Sequence, residues 1–315
     1  MSRPRALPEG RRGLLVLVAL VLACALAVTA AALGPRRTPA AQAAPAVVVQ
    51  RAHAGQATPG IKGRLVLLAV GSDSGAPKFG RGGTVEGGRA DSLHLIVLDT
   101  GKRRGIVIGF PRDSYVPIPG HGTNKINAAM SLGGPPLLIQ TLERLTGIHI
   151  DYYALTSFDG LTDMVNKVGG VYVGIDMNIN DHFSGAHFTK GRHHLQGGQA
   201  LSYARARKTL PGGDLDRSRH QGQILLGGLA TYQRQVAADP TRVMTWLAVM
   251  RQEVKTNLPF TELFHLALAA ISVPPSRLHN TVTPGAAGSA GAASVVRLLP
   301  GAYSLFARVR AGKYA

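Results

Sequence analysis

The chain has a single cysteine, Cys24, among its 315 residues, so no disulfide can form within one copy of it. A small scaffold held together by disulfides is thereby excluded, and the folded part must depend on its own apolar core. Long apolar runs are equally scarce. Only residues 13–34, GLLVLVALVLACALAVTAAALG, form such a stretch without a charged residue, and Cys24 lies inside it.

Residues 13–34 are long enough to anchor the chain in a membrane, because about 20 apolar residues span a hydrocarbon core about 30 Å thick. Arginines within the first twelve residues predict a cytoplasmic N-terminus and an extracellular position for everything after Gly34. A cleaved signal peptide has a shorter apolar region, and a lipoprotein cleavage site at VLAC is disfavoured because the apolar stretch continues beyond Cys24. We therefore predict a cytoplasmic tail at 1–12, an anchor at 13–34, a disordered linker at 35–62 and a folded extracellular domain at 63–312.

Acidic residues are also few, with 17 Asp and Glu against 35 Lys and Arg, which gives a formal net charge of +18. Such a balance favours polyanionic partners. Nucleic acid is disfavoured, because the basic residues are dispersed, aromatic residues make up only 5% of the chain and the predicted compartment lies outside the cell. Anionic lipid headgroups, sugar phosphates and cell-wall polymers fit better.

Several catalytic signatures are missing from the sequence. No G-x-S-x-G sequence surrounds a serine, and the glycine-rich segment GRGGTVEGG lacks the GK[ST] ending of a nucleotide-binding loop. His182, His187, His193 and His194 crowd one segment without the spacing of zinc ligands, which disfavours a metal site there.

Alternating strand and helix signals predict an α/β fold in which helices cover a sheet. Apolar, β-branched runs predict strands at 64–70, 92–99, 105–110, 152–157, 171–175 and near Val282, with a hairpin joining the second and third. Helical spacing predicts helices around 126–130 and over 135–147, 158–168, 199–207, 219–236, 240–254, 260–271 and up to Arg310. Residues 176–196 are predicted to be a polar loop, and the predicted core includes Trp246, Phe260, Phe264 and Leu268.

Two aspartates stand beside predicted strand ends. Asp73 directly follows the first strand, and Asp91 stands where the second strand begins. Both carboxylates can therefore lie at one mouth of the sheet, where they suit Mg²⁺, an ion that takes its remaining ligands from water and substrate phosphates. Either aspartate alone is better explained as a turn former, so the metal hypothesis depends on the pair.

Basic residues in irregular segments favour a phosphate site. Arg112, followed by Asp113, lies between a strand and a PIPG turn, and a guanidinium matches phosphate oxygens two at a time. Taken alone, Arg112 and Asp113 are better explained as a surface ion pair. Arg205 and Arg207 are two residues apart, so they can share a site only if their helix ends there.

Arg217 and Gln221 are four residues apart and share a helical face, with Arg219 and His220 turned elsewhere. A group of solvated basic residues is the usual explanation of such a pattern. That explanation is weakened here because Gln221 carries no charge and because Asp214 stands upstream as an orienting partner.

Eight phrases follow one another along the chain: GSDS, RADS, PRDSYV, KINAA, GIHIDYY, VGGVYV, ALSYARAR and GDLDRSRHQ. As a set they resemble the LytR-CpsA-Psr family of envelope proteins over about residues 65–229. The resemblance implies that 63–312 is a catalytic domain with its core at 65–229 and a C-terminal helical extension at 236–312. The segment VKTNLPFTEL in the C-terminal third resembles the tail of actinobacterial-type members. The set is specific, although no single phrase is.

The resemblance implies a membrane-anchored α-β-α sandwich, in which a central mixed sheet flanked by helices encloses an apolar pocket for a polyprenyl carrier. It implies a transferase that moves a phosphoglycopolymer, such as teichoic acid, from polyprenyl (pyro)phosphate onto peptidoglycan. By the same match, Asp73 and Asp91 are implied ligands of Mg²⁺ (or Mn²⁺). The implied pyrophosphate clamp is Arg112, Arg205, Arg207, Arg217 and Gln221, with Asp214 orienting the last arginines, and the implied catalytic set is Arg112, Asp91, Arg205 and Arg207.

Three positions depart from the family pattern. Gly75 stands where an arginine is usual, with Lys78 and Arg81 as substitutes, and Asn166 replaces an aspartate before VGGV. RHQ, which contains His220, replaces the more common RQ-Q. The substituted residues Gly75, Asn166 and His220 all lie outside the implied clamp, and the first two are expected to alter contacts with the acceptor.

Phosphoryl transfer needs charge neutralised on the non-bridging oxygens and reactants held in line, which cations and forked donors supply. We therefore expect a muramic sugar hydroxyl to attack the glycan-side phosphorus, with polyprenyl phosphate leaving. Asp91 is preferred among the carboxylates as the proton acceptor. Three alternatives stay open: a lipid pyrophosphatase, a non-catalytic polyprenyl-phosphate-binding regulator of the envelope, and a nucleic-acid regulator, which the predicted topology disfavours.

Overall fold

The structure, a computed structural model, describes residues 63–73 and 88–314. The predicted cytoplasmic tail, membrane anchor and linker lie outside the described residues, as does the segment that contains Gly75, Lys78 and Arg81. Within the part of the chain that is described, none of the helices combines the length and the apolar composition that a bilayer crossing requires.

A six-stranded sheet lies at the centre of the fold. Its strands are β1 (Arg64–Ser72), β2 (Ala90–Asp99), β3 (Arg104–Gly109), β6 (Tyr152–Ser157), β11 (Lys255–Thr256) and β12 (Leu278–Val282). They are arranged in the order β11-β6-β1-β2-β3-β12. β1, β2 and β3 are antiparallel neighbours, whereas β6 runs parallel to β1 and β12 runs parallel to β3. The mixed sheet and the β2–β3 hairpin confirm the sequence prediction.

The remaining strands form four small pairs. These are β4 (Tyr115–Pro117) with β5 (Thr123–Lys125), β7 (Val171–Ile175) with β10 (Gly191–Leu195), β8 (Ile179–Asp181) with β9 (Ala186–Phe188), and β13 (Gly285–Ala290) with β14 (Ala293–Leu298). The helices are α1 (Ala128–Thr146), α2 (Phe158–Lys167), α3 (Gly197–Arg205), α4 (Asp214–Ala238), α5 (Arg242–Glu253), α6 (Phe260–Ser272) and α7 (Pro300–Arg310).

Helices cover both faces of the sheet. On one face, Leu68 of β1 belongs to a core cluster with Leu142 of α1 and Phe306 of α7. α4 lies against the other face, where His94 Nε2 of β2 is 2.9 Å from the Ser218 carbonyl oxygen. Burial lowers the pKa of His94 to about 4, although that hydrogen bond opposes the shift. His94 is therefore neutral at physiological pH, and its hydrogen bond joins the sheet to α4.

The predicted break between two consecutive helices occurs inside α1. The backbone leaves the helical conformation at Gly133 and Gly134, and prolines follow in the next turn, where a missing N–H costs little. The helix ends at Gly147, whose left-handed φ of 65° lets its N–H bond to the Glu143 carbonyl. Glycine tolerates this conformation because it has no Cβ.

Two sequence predictions are wrong. Residues 176–196 are not a polar loop but contain β8, β9 and β10, with β10 paired antiparallel to β7. Only isolated residues such as Ile179 and Leu195 are buried there, so the strands carry few apolar side chains. Phe260 is not in the core but is 45% exposed, although Trp246 and Phe264 do pack against a core cluster.

Adjacent glycines on α4 give a direct test of how closely this helix packs. A Cβ at Gly227 would lie 2.5 Å from the backbone oxygen of Tyr172 in β7, whereas a Cβ at Gly228 would have nothing within 4 Å. Gly227→Ala is therefore expected to lower the free energy of unfolding by about 1–3 kcal/mol, because the helix must move away from β7. Gly228→Ala, the matched control, should raise it by up to about 1 kcal/mol through helix propensity. Urea unfolding at constant m-value checks both, and equal midpoints for the two variants would contradict the close packing.

Candidate active site

A cavity of about 400 Å³ opens at the end of the sheet where β1 finishes and β2 begins. Seven of the eight predicted site residues line it: Asp73, Asp91, Arg112, Arg205, Arg207, Arg217 and Gln221. The eighth, Asp214, stands behind the arginines as an ion-pair partner. The sequence prediction that these dispersed residues converge on one place agrees with the structure.

The two carboxylates come from neighbouring strand ends, as expected. Ser72, the last residue of β1, pairs with Ala90, the first residue of β2, so Asp73 and Asp91 each directly follow one member of this cross-strand pair. The Asp73 backbone N–H donates to the Arg89 carbonyl at 3.2 Å, and Asp73 Oδ1 accepts from the Arg89 N–H at 2.8 Å. These reciprocal bonds hold Asp73 against Arg89, two residues before Asp91.

Arg112 follows β3 and forms an ion pair with Asp91 across the cavity rim. Asp113 lies 4.0 Å from Arg112 Nε and 3.1 Å from Lys125 Nζ, so the guanidinium is held between two carboxylates. Burial acts to lower the pKa of Arg112, but the hydrogen bond and charge of Asp91 outweigh it and raise the pKa. Arg112 is therefore a fixed cation inside the cavity and not a surface ion pair.

Arg205 and Arg207 reach the same cavity because α3 ends between them. Arg205 is the last helical residue, and Ala206 is extended with ψ 123°, which brings Arg207 round to the cavity. Asp181 of β8 fixes this turn, since its Oδ2 accepts from the backbone N–H of Arg207 at 2.6 Å and of Lys208 at 3.0 Å. Burial acts to raise the pKa of Asp181, but backbone hydrogen bonds, led by that from Arg207, lower it overall.

Arg217 and Gln221 share the cavity-facing side of α4, and Arg219 and His220 point elsewhere, as predicted. The side chain of Arg217 is only 8% exposed and pairs with Asp214, which also lies 3.5 Å from Arg207 Nη1. Burial lowers the pKa of Arg217, and the charge of Asp214 opposes the shift. Gln221 Nε2 donates to the Ala204 carbonyl at 3.1 Å, which ties α4 to the last turn of α3.

The positions that depart from the family pattern have structural roles. Asn166 Oδ1 accepts from the Gly197 N–H at 2.8 Å and so holds the start of α3. His220 is fully buried, with its ring stacked on Tyr203 at a centroid distance of 4.5 Å. Burial and then the charge of Arg219 lower the pKa of His220 to about 4. Neither Asn166 nor His220 lines the cavity.

Sequence reasoning missed several lining residues: Phe158, Asp181, Phe183, Ser184, Ala204 and Lys208. Phe183 is 58% exposed, and Lys208 Nζ lies 4.1 Å from the centre of its ring. Arg205 lies over the Phe158 ring at 5.5 Å, which restrains the guanidinium by a cation–π contact. A strand signal in 176–196 would have placed Asp181 and Phe183 beside Arg207, but that segment has too few apolar residues to give one.

The cavity lining has an excess of basic side chains, which suits an anionic ligand such as a phosphate. Five basic side chains line it against three carboxylates, and one of these, Asp181, is bound to backbone N–H groups. Asp73 and Asp91 remain as possible metal ligands. Within residues 63–73 and 88–314 no group of three or more His, Cys, Asp or Glu residues could hold a metal. Two carboxylates are only part of a ligand set, which Mg²⁺ would complete with water and a bound phosphate.

Comparison with known proteins gives consistent relatives. Residues 40–301 match the model of the LytR_cpsA_psr family. A Polyisoprenyl-teichoic acid--peptidoglycan teichoic acid transferase TagU of Bacillus cereus (strain AH820) is 36% identical over 180 residues, a match that spans 57% of this chain and 58% of the relative's own length. Regulatory protein MsrR of Staphylococcus aureus (strain COL) is 30% identical over 244 residues, which are 72% of this chain and 70% of MsrR.

Solved structures share the fold. B. subtilis TagV has a TM-score of 0.67 at 26% identity, covering 80% of this chain and 98% of TagV. TagT bound to LIIa-WTA has a TM-score of 0.66 at 22% identity, covering 83% of this chain and 94% of TagT, and at that identity the likeness concerns the fold alone. Because the family model extends over most of the sequence and MsrR matches over more than two thirds of it, the chain belongs to the LytR-CpsA-Psr family.

Proposed function

We propose that the chain is a transferase that moves a phosphoglycopolymer from a polyprenyl-pyrophosphate carrier onto peptidoglycan. The observation that carries this proposal is the convergence of four arginines from separate segments on one cavity that also receives two carboxylates. Guanidinium forks neutralise and orient phosphate oxygens, which is most of what a protein contributes to phosphoryl transfer. TagU is named for the transfer of teichoic acid to peptidoglycan, which supports the same reaction class here.

Incompletely covered apolar side chains on the sheet and on α4 support the lipid part of the proposal. Leu67 of β1 pairs with Ile96 of β2, and both are only half-buried although their strands lie in the middle of the sheet. Leu225 of α4 is also half-buried, and it shares a helical face with Ser218 and Gly222, which touch the sheet. Incompletely covered apolar side chains on both the sheet and α4 suit contact with a polyprenyl chain, because burial of apolar surface is favourable.

In the proposed reaction, the acceptor hydroxyl oxygen bonds to the glycan-side phosphorus. The bond from that phosphorus to the bridging oxygen breaks, and polyprenyl phosphate leaves. Arg112, Arg205, Arg207 and Arg217 hold the diphosphate in line for the attack. A carboxylate at the cavity accepts the hydroxyl proton, and we prefer Asp91. When bound by Asp73 and Asp91, Mg²⁺ would supply further positive charge to the phosphate oxygens.

The anchoring of the chain belongs to the same proposal. Residues 13–34 would hold it in the membrane with the domain outside, where both a lipid-linked glycan and peptidoglycan are available. The charge-free apolar run and the arginines before it support this topology.

Product analysis with the purified full-length chain tests the function. A polyprenyl-pyrophosphate-linked glycan with a radiolabelled glycan-side phosphate is the donor, and the reaction is run with and without soluble peptidoglycan. When peptidoglycan is supplied, we expect the labelled phosphate to become attached to it. Chelation of divalent ions should abolish this transfer. Release of labelled glycan phosphate to water at the same rate without acceptor would identify a lipid pyrophosphatase instead. Tight binding of the donor without turnover would identify a regulator.

A further inference from the structure

The end of the sheet opposite the cavity carries a group of exposed basic side chains. Strand pairing places Arg64 of β1 opposite Asp99 of β2, and Asp99 opposite Arg104 of β3, so these strand termini lie together. α1 and α7 also end here, since Arg310 Nη1 donates to the Thr146 carbonyl at 2.5 Å. We name this end the basal face and define it by its exposed basic residues Arg64, Lys102, Arg103, Arg308, Arg310 and Lys313.

Acidic side chains at the basal face are committed to local hydrogen bonds. Asp99 Oδ1 accepts from the Lys102 N–H at 2.9 Å, and Asp151 Oδ2 accepts from the Val66 N–H at 2.7 Å. Glu143 Oε1 accepts from the Ile150 N–H at 2.8 Å. These carboxylates shape the turns at this end, and the outward-facing charge of the basal face is positive.

α6 brings exposed apolar side chains to the same end. Arg103 Nε, in the β2–β3 turn, donates to the Ser272 carbonyl at the end of α6 at 2.6 Å. Ile271, one residue earlier, is 38% exposed, and Phe260 at the start of the helix is exposed with the Arg251 guanidinium 5.3 Å from its ring centre. At 100° per residue Phe260 and Ile271 share one face of α6. An exposed apolar side chain beside an arginine is the arrangement of helices that lie at a membrane surface.

The chain also enters the domain at this end. The Gly63 carbonyl accepts from the backbone N–H and the side-chain Oγ1 of Thr100, both at 3.0 Å, which fixes the first described residue beside the β2–β3 turn. The polypeptide is therefore joined to its N-terminal part at the basal face, which is also where the anchor proposed above would be connected to the domain.

We propose that the basal face docks on a bilayer surface rich in anionic phospholipid, with Ile271 and Phe260 entering the headgroup region. Positive charge and apolar side chains act together in such contacts, and the charge makes the contact sensitive to salt. Docking would hold the cavity at the far end of β1, whose nine residues span roughly 30 Å, at a fixed height above the headgroups. The inference concerns orientation and does not depend on the chemistry at the cavity.

A fluorescent reporter on the full-length chain tests this orientation. Cys24→Ser removes the native thiol, and Ile271→Cys is labelled with an environment-sensitive fluorophore in nanodiscs that contain brominated lipid. The matched label is at Ser289→Cys, an exposed residue of β13, which follows the cavity end of β12. We expect blue-shifted emission and bromine quenching at residue 271 in phosphatidylglycerol discs. Both effects should be weaker in phosphatidylcholine discs or at high salt, and neither should occur at residue 289.

A charge-neutralised variant tests whether docking depends on the basal face and not on basic residues elsewhere on the surface. Lys102→Gln, Arg308→Gln and Lys313→Gln together should lower the docked fraction relative to the undocked one by about a hundredfold, since each basic residue near an anionic surface contributes about fivefold. Lys190→Gln with Arg192→Gln, exposed residues in and beside β10, should leave quenching unchanged. Equal quenching in both lipids, or in the triple variant, would overturn the proposal. A blue shift that requires two chains in one disc would also overturn it, by making a second copy the occupant of this face.

Transfer activity in detergent serves as an independent readout for the same variants. The triple variant should transfer glycan in detergent at the rate of the unmodified chain, because none of its substitutions is near the cavity. A failure of docking and a failure of the proposed transfer reaction are therefore distinguishable.

Discussion

Arg112→Ala is expected to lower the rate of glycopolymer transfer by about a thousandfold, because it removes a preorganised cation that stabilises the charge on the transferring phosphoryl group. The guanidinium lines the cavity and is held in place by Asp91 and Asp113. Its removal deletes no contact within the apolar core, so the protein should still fold, with a modest fall in the unfolding temperature from the loss of the pair with Asp91. Transfer of labelled glycan to soluble peptidoglycan measures the rate.

The matched control for this variant is Arg219→Ala. Arg219 is likewise a half-buried arginine with two carboxylate partners, Asp176 at 2.8 Å and Asp216 at 2.9 Å, but it does not line the cavity. Its replacement should leave the transfer rate within a few-fold of the unmodified chain. Arg112→Lys keeps the charge without the fork and should recover only part of the lost activity. Similar rates for Arg112→Ala and Arg219→Ala would show that the cavity does not bind the reacting phosphate.

The family resemblance assigns the predicted residues to one site, and their positions at the ends of strands and helices explain why they converge. Asp73 and Asp91 flank apolar strands, so strand pairing alone brings them together. Arg217 and Gln221 are related by the helical period, which separates them from Arg219 without any tertiary information. Arg205 and Arg207 required one further condition, a helix end between them, and Ala206 satisfies it.

The features that could not be predicted depend on backbone N–H donors and on strands that contain few apolar residues. Asp181 fixes the Arg207 turn through main-chain N–H groups, and no residue pattern marks which aspartate will do so. β13 is built mostly of glycine and alanine, which are depleted in strands, so the β13–β14 hairpin gives no strand signal on that side. α4 begins at Asp214, five residues before the predicted start, because its first turn is polar and shows no apolar periodicity. Asp214 and Asp216 lie in that turn, and because acidic residues are favoured at a helix N-terminus they indicate the earlier start.

Asp214→Asn is expected to impair both stability and transfer, because one carboxylate holds two arginines of the cavity. The Asp214 side chain is 12% exposed, pairs with the nearly buried Arg217 and lies 3.5 Å from Arg207. Asparagine has the same size but no charge, so Arg217 would be left buried near other cations. Breaking such a pair costs about 3 kcal/mol of unfolding free energy when one charge stays buried without its partner. Urea unfolding measures this loss, and the transfer assay should show a fall of at least about tenfold from the misplaced arginines.

Asp216→Asn is the control one half-turn away. Asp216 is similarly enclosed but pairs with Arg219 and the Gly212 N–H, outside the cavity lining, so its loss should affect stability more than transfer. Inorganic pyrophosphate separates an electrostatic effect from a general loss of packing. Because an anion in the cavity would replace the missing negative charge, pyrophosphate should raise the unfolding temperature of Asp214→Asn by more than that of the unmodified chain or of Asp216→Asn. Equal stabilisation of all three proteins would mean that Asp214 does not balance the charge of the arginines that are proposed to hold the diphosphate.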